Sequence, residues 1–168
     1  MAINKGSNAI GKLYKGNVQL GKVYKGSTLV FNAELNLLEN TSWSKHQSEY
    51  STCAITTSKV SIETTSASTN VALYKQVDVT NYNTLTITCN ISNVCYAWAG
   101  VGLQTGTAST GEPIVGKRLS TSDGQILSFS DTIELDISNL KGNYYFSLFA
   151  YRGSGLNPKV EVTKAILS

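Results

Sequence analysis

The chain has 168 residues, which suffices for one medium-sized domain with a small appendage and is too short for two full-sized domains. Apolar side chains make up 41% of the residues and charged side chains only 15%, while 38 residues are serine or threonine. This composition favours a β-rich protein with a packed core and argues against a helical bundle or a disordered chain. The net charge of +3 is uneven, because residues 1–31 contain five lysines and no acidic side chain, whereas the remainder contains nine basic and eleven acidic ones.

A ten-residue repeat occupies the N-terminal segment. Lys-Gly pairs recur from Lys5 onwards, and the last two copies extend to Gly-Lys-Leu-Tyr-Lys-Gly and Gly-Lys-Val-Tyr-Lys-Gly. Glycine followed by Asn or Ser supplies the positive φ of tight turns, so the repeat predicts a series of small β-hairpins. Such hairpins bury too little apolar surface to fold alone, and residues 1–33 are therefore predicted to form an attachment or oligomerisation module. Its predicted interface consists of Leu13, Tyr14, Val23 and Tyr24, flanked by Lys12 and Lys22.

The composition changes near Ala33, where we place the boundary with a second domain of residues 34–168. Its first residues, 34–39, are predicted to form a short helical turn or a linker. Short runs of alternating apolar residues follow, separated by polar turns and without a sustained period of 3.6, which predicts an antiparallel β-sandwich. The predicted apolar faces are Val71, Leu73, Val77 and Val79; Leu85, Ile87, Cys89 and Ile91; Ile133, Leu135 and Ile137; Phe146, Leu148 and Ala150; and Val160, Val162 and Ile166.

Two parts of the chain resemble known families. Residues 9–31, ending in Leu29-Val30-Phe31, are similar to the N-terminal segment of bacteriophage minor structural proteins of the tail, fibre or head-decoration type. Residues from about 43 to 168 resemble the galactose-binding-like jelly rolls of phage and bacterial surface proteins, in the segments Val77–Leu85, Asp136–Tyr145 and Val160–Leu167. The resemblance implies a jelly-roll sandwich carried by a virion component. It implies no catalytic residue and leaves a structural calcium ion without a location.

The cysteines and the absence of long apolar runs indicate where the protein is made. Cys53, Cys89 and Cys95 are an odd number without metal-ligand spacing, so a disulfide framework is not expected. Cys89 and Cys95 are close enough to bridge across a turn, but alternation places Cys89 on an apolar face, where it is predicted to pack as a small hydrophobe. The first twenty residues lack the apolar run of a signal peptide, and no stretch approaches the roughly 18 apolar residues of a membrane span, so neither is expected. These features predict a protein made in the host cytoplasm and assembled into a virion.

The sequence offers little evidence for a catalytic site. His46, the only histidine, lies in a polar run without a nucleophile motif and is predicted to be a surface residue. Glu134 and Asp136 alternate with Ile133 and Leu135, so they are predicted to be solvated carboxylates rather than a glycosidase pair. No His, Cys or acidic cluster has metal-ligand spacing. The sequence therefore predicts a non-enzyme without a metal or cofactor.

The aromatic residues provide the sharpest binding hypothesis. Tyr96 and Trp98 alternate with small residues, which points both rings away from the core if the small side chains pack inward. The same parity predicts exposure for Tyr145, Phe149 and Tyr151, with Arg152 adjacent. Rings beside a guanidinium bind sugars by stacking and hydrogen bonding. Burial on a covered sheet face, or a subunit interface, is the alternative.

The main functional prediction is a non-enzymatic virion structural protein. It would attach through its N-terminal repeats to other virion proteins and self-associate, with a trimer favoured by the need to bury the hairpins. The first alternative is a carbohydrate-binding module that recognises a glycan on the host surface. The second is an enzyme that depolymerises surface polysaccharide through Glu134 or Asp136. Neither nucleic acid nor a membrane is predicted as a partner, because five lysines spread over turns make a weak phosphate-binding patch.

Overall fold

The computed structural model describes residues 34–39, 42–106 and 112–168, together with strands in the N-terminal segment. These are β1 (Asn4–Lys5), β2 (Asn8–Ala9), β3 (Leu13–Lys15), β4 (Val18–Leu20), β5 (Lys22–Lys25) and β6 (Thr28–Asn32). The later strands are β7 (Leu35–Asn36), β8 (Ser44–His46), β9 (Ser51–Ile55), β10 (Val60–Thr64), β11 (Thr69–Asp78), β12 (Thr84–Val94), β13 (Ala97–Gln104), β14 (Val115–Thr121), β15 (Leu127–Asp136), β16 (Asn143–Arg152) and β17 (Lys159–Leu167). A 3-10 helix spans Ser48–Tyr50.

The N-terminal repeat forms three antiparallel hairpins, β1–β2, β3–β4 and β5–β6, and each is a two-stranded sheet of its own. In the second hairpin Lys15 lies opposite Val18, so two residues separate the strands, which is the length of a tight hairpin loop. The repeat therefore forms hairpins, as its period predicts. Of the predicted interface residues, Val23 is half-buried and Lys12 lies outside the described residues; for Leu13, Tyr14, Lys22 and Tyr24 the structure describes the backbone alone.

The remaining strands form two antiparallel sheets. The six-stranded sheet has the order β15-β12-β17-β10-β9, with β7 also paired to β17, and the five-stranded sheet has the order β14-β13-β16-β11-β8. From β10 to β17 every connection passes from one sheet to the other, except between the neighbours β13 and β14. This alternation is that of a jelly roll. The predicted all-β sandwich is thus confirmed.

The core lies between the sheets, and most of the predicted apolar faces point into it. Those on β11, β12 and β16 are buried. The prediction fails at Ile166, which is half-buried, whereas Ala165 and Leu167 are buried. The pairing of β12 with β17 shifts register between Thr88 and Cys89, which inserts one extra residue on β17. A β-bulge of this kind reverses the alternation of the residues that follow it.

Residues 34–39 are part of the sandwich, contrary to the predicted helical turn or linker. Leu35 and Asn36 pair with β17, and Leu37 and Leu38 are each only 1% exposed. The Leu37 amide donates to the carbonyl oxygen of Ala165 at 2.8 Å. Burial of two adjacent leucines draws this segment onto the core, because each contributes about 2 kcal/mol by leaving water.

The three cysteines are free thiols. Cys89 lies on the core face of β12, and burial raises the pKa of its thiol to about 11. It therefore packs as a small hydrophobe, as predicted. No helix among the described residues has the length and apolar character that crossing a membrane requires.

Candidate functional site

The outer face of the five-stranded sheet, which points away from the core, carries most of the predicted aromatic residues. Ala97, Ala99, Val101 and Leu103 of β13 face the core. The alternate positions face outward, where Trp98 lies directly opposite Tyr151 across the β13–β16 pair. Trp98 and Tyr151 therefore both face outward, as the alternation in the sequence predicts.

Trp98 and Tyr151 form a stacked ring pair, with centroids 5.4 Å apart and planes inclined by 18°. The Phe149 ring lies 5.9 Å from that of Trp98 at an inclination of 57°. The Arg118 guanidinium lies 5.1 Å from the Trp98 ring centroid and donates from Nη1 to Oε1 of Glu112 at 2.7 Å. Trp98 thus lies on β13 between neighbours from β14 and β16, which fix the orientation of its ring.

Phe149 is fully buried, although the sequence predicts its exposure. Its strand partner is Gly100, and a Cβ atom at that position would lie only 2.6 Å from Cζ of Phe149. The missing side chain lets the phenyl ring lie across the glycine, next to Trp98 and out of water. Phe149 therefore supports the ring pair and is not part of the accessible surface.

A depression of about 530 Å³ opens beside the ring pair. Trp98, Tyr151, Ala97 and Leu127 provide its apolar lining, and Ser120, Thr121, Ser122, Asp123 and Gln125 provide its polar lining. The polar residues come from the end of β14 and the loop that follows. The depression therefore has an aromatic side and a side of hydroxyl, amide and carboxylate groups.

Asp123 is held in place by its own loop. Its Oδ1 accepts hydrogen bonds from Oγ1 of Thr121 at 2.7 Å and from the Gln125 amide at 2.9 Å. The Thr121 hydrogen bond, followed by that from Gln125, lowers the pKa of the Asp123 carboxyl below its usual value. The carboxylate is therefore ionised near neutral pH and fixed in direction.

Two predicted members of the site, Tyr96 and Arg152, are not among the residues that line the depression. Tyr96 precedes β13 in a left-handed backbone conformation (φ 48°), which breaks the alternation with Trp98. It is 44% exposed, and its hydroxyl oxygen and ring edge lie next to Gly124. Arg152 shares the parity of Ala97, and its Nε donates to the Gly155 carbonyl oxygen at 2.8 Å. The guanidinium beside the rings belongs instead to Arg118, which sequence reasoning missed.

Tyr145 faces outward at the opposite end of β16. Its ring contacts Tyr74 edge-on, with centroids 5.8 Å apart. Tyr145 and Tyr151 lie at opposite ends of the strand, which corresponds to a separation of roughly 20 Å. Tyr145 therefore does not line the depression.

Three buried polar atoms on this outer face have no hydrogen-bond partner within the described part of the chain. They are Oδ1 of Asn70, Oγ of Ser147 and Nε of Arg118. Asn70 lies directly opposite Tyr151, on the side away from Trp98. Buried polar atoms are usually paired with protein or ordered water, so this face retains hydrogen-bonding capacity that the described residues do not use.

The candidate catalytic residues form no site within the described ranges. His46 is half-buried on the edge strand β8, opposite Ala72. Glu134 and Asp136 are exposed on the outer side of β15, as predicted, and the Asp136 carboxylate accepts the Ser138 amide at 2.9 Å. The described residues contain no group of three or more His, Cys, Asp or Glu side chains arranged to hold a metal ion.

Comparisons with known proteins add a resemblance of fold. No protein-family model and no curated protein matches the chain. A solved structure described as "CBM4 structure and function", where CBM denotes a carbohydrate-binding module, is similar at 9% sequence identity with a TM-score of 0.43. The similarity covers 80% of this chain and 94% of that chain. A likeness of this size carries no inference about function.

Proposed function

We propose that the chain is a non-catalytic carbohydrate-binding protein that holds a sugar residue in the depression beside Trp98 and Tyr151. The observation that carries the proposal is that the stacked ring pair and a set of polar side chains line the same depression. The apolar face of a sugar ring packs against aromatic carbons, while its hydroxyls exchange hydrogen bonds with side chains such as those of Ser120, Asp123 and Gln125.

The dimensions and rigidity of the site support this function. A volume of about 530 Å³ falls within the range of small-molecule pockets. The ring pair is held by Phe149 and Arg118, and the carboxylate of Asp123 by its loop. Because these groups are ordered before a sugar arrives, binding loses little side-chain entropy.

The test compares two tyrosines of one strand face. A glycan array probed with the purified chain identifies bound oligosaccharides, and titration calorimetry measures their affinities for the Tyr151→Ala and Tyr145→Ala variants. We expect Tyr151→Ala to lose at least tenfold in affinity, because it removes one ring of the pair. Tyr145→Ala should bind like the wild type, because that ring lies outside the depression. Equal affinities of the two variants, or an array without any bound glycan, would refute the proposal.

We further propose that residues 1–33 attach the sandwich to a larger assembly, such as a phage particle. The observation that favours this role is the three hairpins, each closed as its own two-stranded sheet. Isolated two-stranded hairpins are marginally stable in water, so a partner surface or a symmetric oligomer is needed to cover them.

Deletion of residues 1–33 tests the attachment role. The remaining sandwich should stay folded and keep its glycan affinity, but should no longer incorporate into particles imaged by electron microscopy. Sedimentation of the full chain should show an oligomer that the deletion abolishes. A monomeric full chain that never enters particles would overturn the proposal.

A further inference from the structure

We propose that Asp123 makes the depression selective for uncharged sugars over acidic ones. This inference rests on the proposed function and concerns the same site. One oxygen of the Asp123 carboxylate, Oδ1, is occupied by Thr121 and Gln125. The other oxygen, Oδ2, accepts no hydrogen bond from any other described residue, and Asp123 lines the depression.

An ionised carboxylate accepts hydrogen bonds and donates none. A sugar hydroxyl can donate to Oδ2, and a hydrogen bond to an ionised acceptor is about twice as strong as a neutral one. A uronate, sialate or sulfate group cannot donate to it and is repelled by its charge. The same oxygen therefore favours hydroxyl-bearing sugars and disfavours anionic ones.

No cation in the described lining offsets this charge. Among the described residues that line the depression, Asp123 alone carries a formal charge. The guanidinium of Arg118, which lies beside the Trp98 ring, is already paired with Glu112 at 2.7 Å. Arg152 is directed to the Gly155 carbonyl oxygen. An acidic sugar would thus meet a net negative site. Repulsion between its anionic group and the Asp123 carboxylate, at a separation of about 4 Å in a well-hydrated environment, corresponds to a roughly fivefold loss of affinity.

The experiment uses matched neutral and acidic glycans. Lactose is compared with 3′-sialyllactose, and galacto-oligosaccharides with oligogalacturonides, by titration calorimetry on the full chain. The wild type should bind the neutral member of each pair at least fivefold more tightly. Raising the salt concentration should narrow this ratio by strengthening acidic-sugar binding, since salt screens repulsion between exposed charges.

Asp123→Asn removes the charge while keeping an oxygen for Thr121 and Gln125. Asp136→Asn is the matched control, because Asp136 also accepts a local backbone amide but lies on β15 of the other sheet. We expect Asp123→Asn to weaken neutral-sugar binding, to strengthen acidic-sugar binding and so to bring the ratio close to one. Asp136→Asn should leave the ratio unchanged.

The outcomes separate this inference from the proposed function. If Tyr151→Ala abolishes binding while Asp123→Asn leaves the neutral-to-acidic ratio unchanged, the role of Asp123 is wrong and the site stands. A wild type that prefers the acidic member of each pair would equally contradict the role of Asp123. If no glycan of either class binds to the wild type, both the proposed function and the inference fail.

Discussion

Gly100→Ala is the perturbation whose consequence follows most directly from the structure. A Cβ atom at position 100 would lie 2.4 Å from the backbone oxygen of Lys117 and 2.6 Å from Cζ of Phe149. Ordinary van der Waals contact begins at 3.4 Å. The carbonyl of Lys117 would therefore have to recede by about 1 Å, and the Phe149 ring by almost as much.

Neither neighbour can move freely. Lys117 belongs to β14, which is hydrogen-bonded to β13 along its length, and Phe149 is fully buried against Trp98. Overpacking of this kind costs about 1–3 kcal/mol. For a sandwich of this size we expect a fall in Tm of roughly 4–12 °C. Displacement of Phe149 also tilts Trp98, so glycan affinity should fall together with stability.

Differential scanning calorimetry of the variant, with Gly106→Ala as control, measures the effect. A Cβ at position 106 has no described neighbour within 4 Å, so this second variant should melt within about 2 °C of the wild type. If Gly100→Ala melts like Gly106→Ala, then the close packing of Phe149 over Gly100 is wrong, and Phe149 is buried for some other reason.

Two further predictions address the first residues of the sandwich and the charge of the site. Leu37→Ala should lower the free energy of unfolding in urea by about 2–5 kcal/mol, because Leu37 is only 1% exposed. The control, Leu35→Ala, should lower it by less than about 1 kcal/mol, because the Leu35 side chain is 40% exposed. Similar losses would contradict the docking of residues 34–39 on the core. Affinity for neutral sugars should be constant between pH 5 and pH 8 and fall only below about pH 4, because hydrogen bonds lower the pKa of Asp123 below its usual 3.8 and protonation removes the charge that accepts the sugar hydroxyl. A decline centred near pH 6 would show that another group controls binding.

In the proposed site, the ring pair and the loop that contains Asp123 would have different roles in binding. Trp98 and Tyr151 lie on adjacent strands, whose register fixes their separation. Asp123 and Gln125 lie on a loop whose shape is set by hydrogen bonds within it. Variants of the loop should therefore change which sugar is preferred, and variants of the ring pair should change whether any sugar binds.

Alternation along the chain by itself determined the sandwich, because a strand with one buried face repeats its apolar residues every second position. Leu85, Ile87 and Cys89 on β12 show this directly. The repeat likewise determined the three N-terminal hairpins, since glycine-containing turns at fixed intervals leave few other structures for such short strands.

Only the tertiary structure decided which side chains meet. The positive φ of Tyr96 interrupts an alternation that the sequence shows as continuous, and the bulge in β17 reverses one. The guanidinium beside Trp98 comes from β14, and the polar residues that line the depression come from the end of β14 and the loop that follows it. These neighbours are distant along the chain, and their contact depends on strand order and register, which alternation within a single strand does not specify.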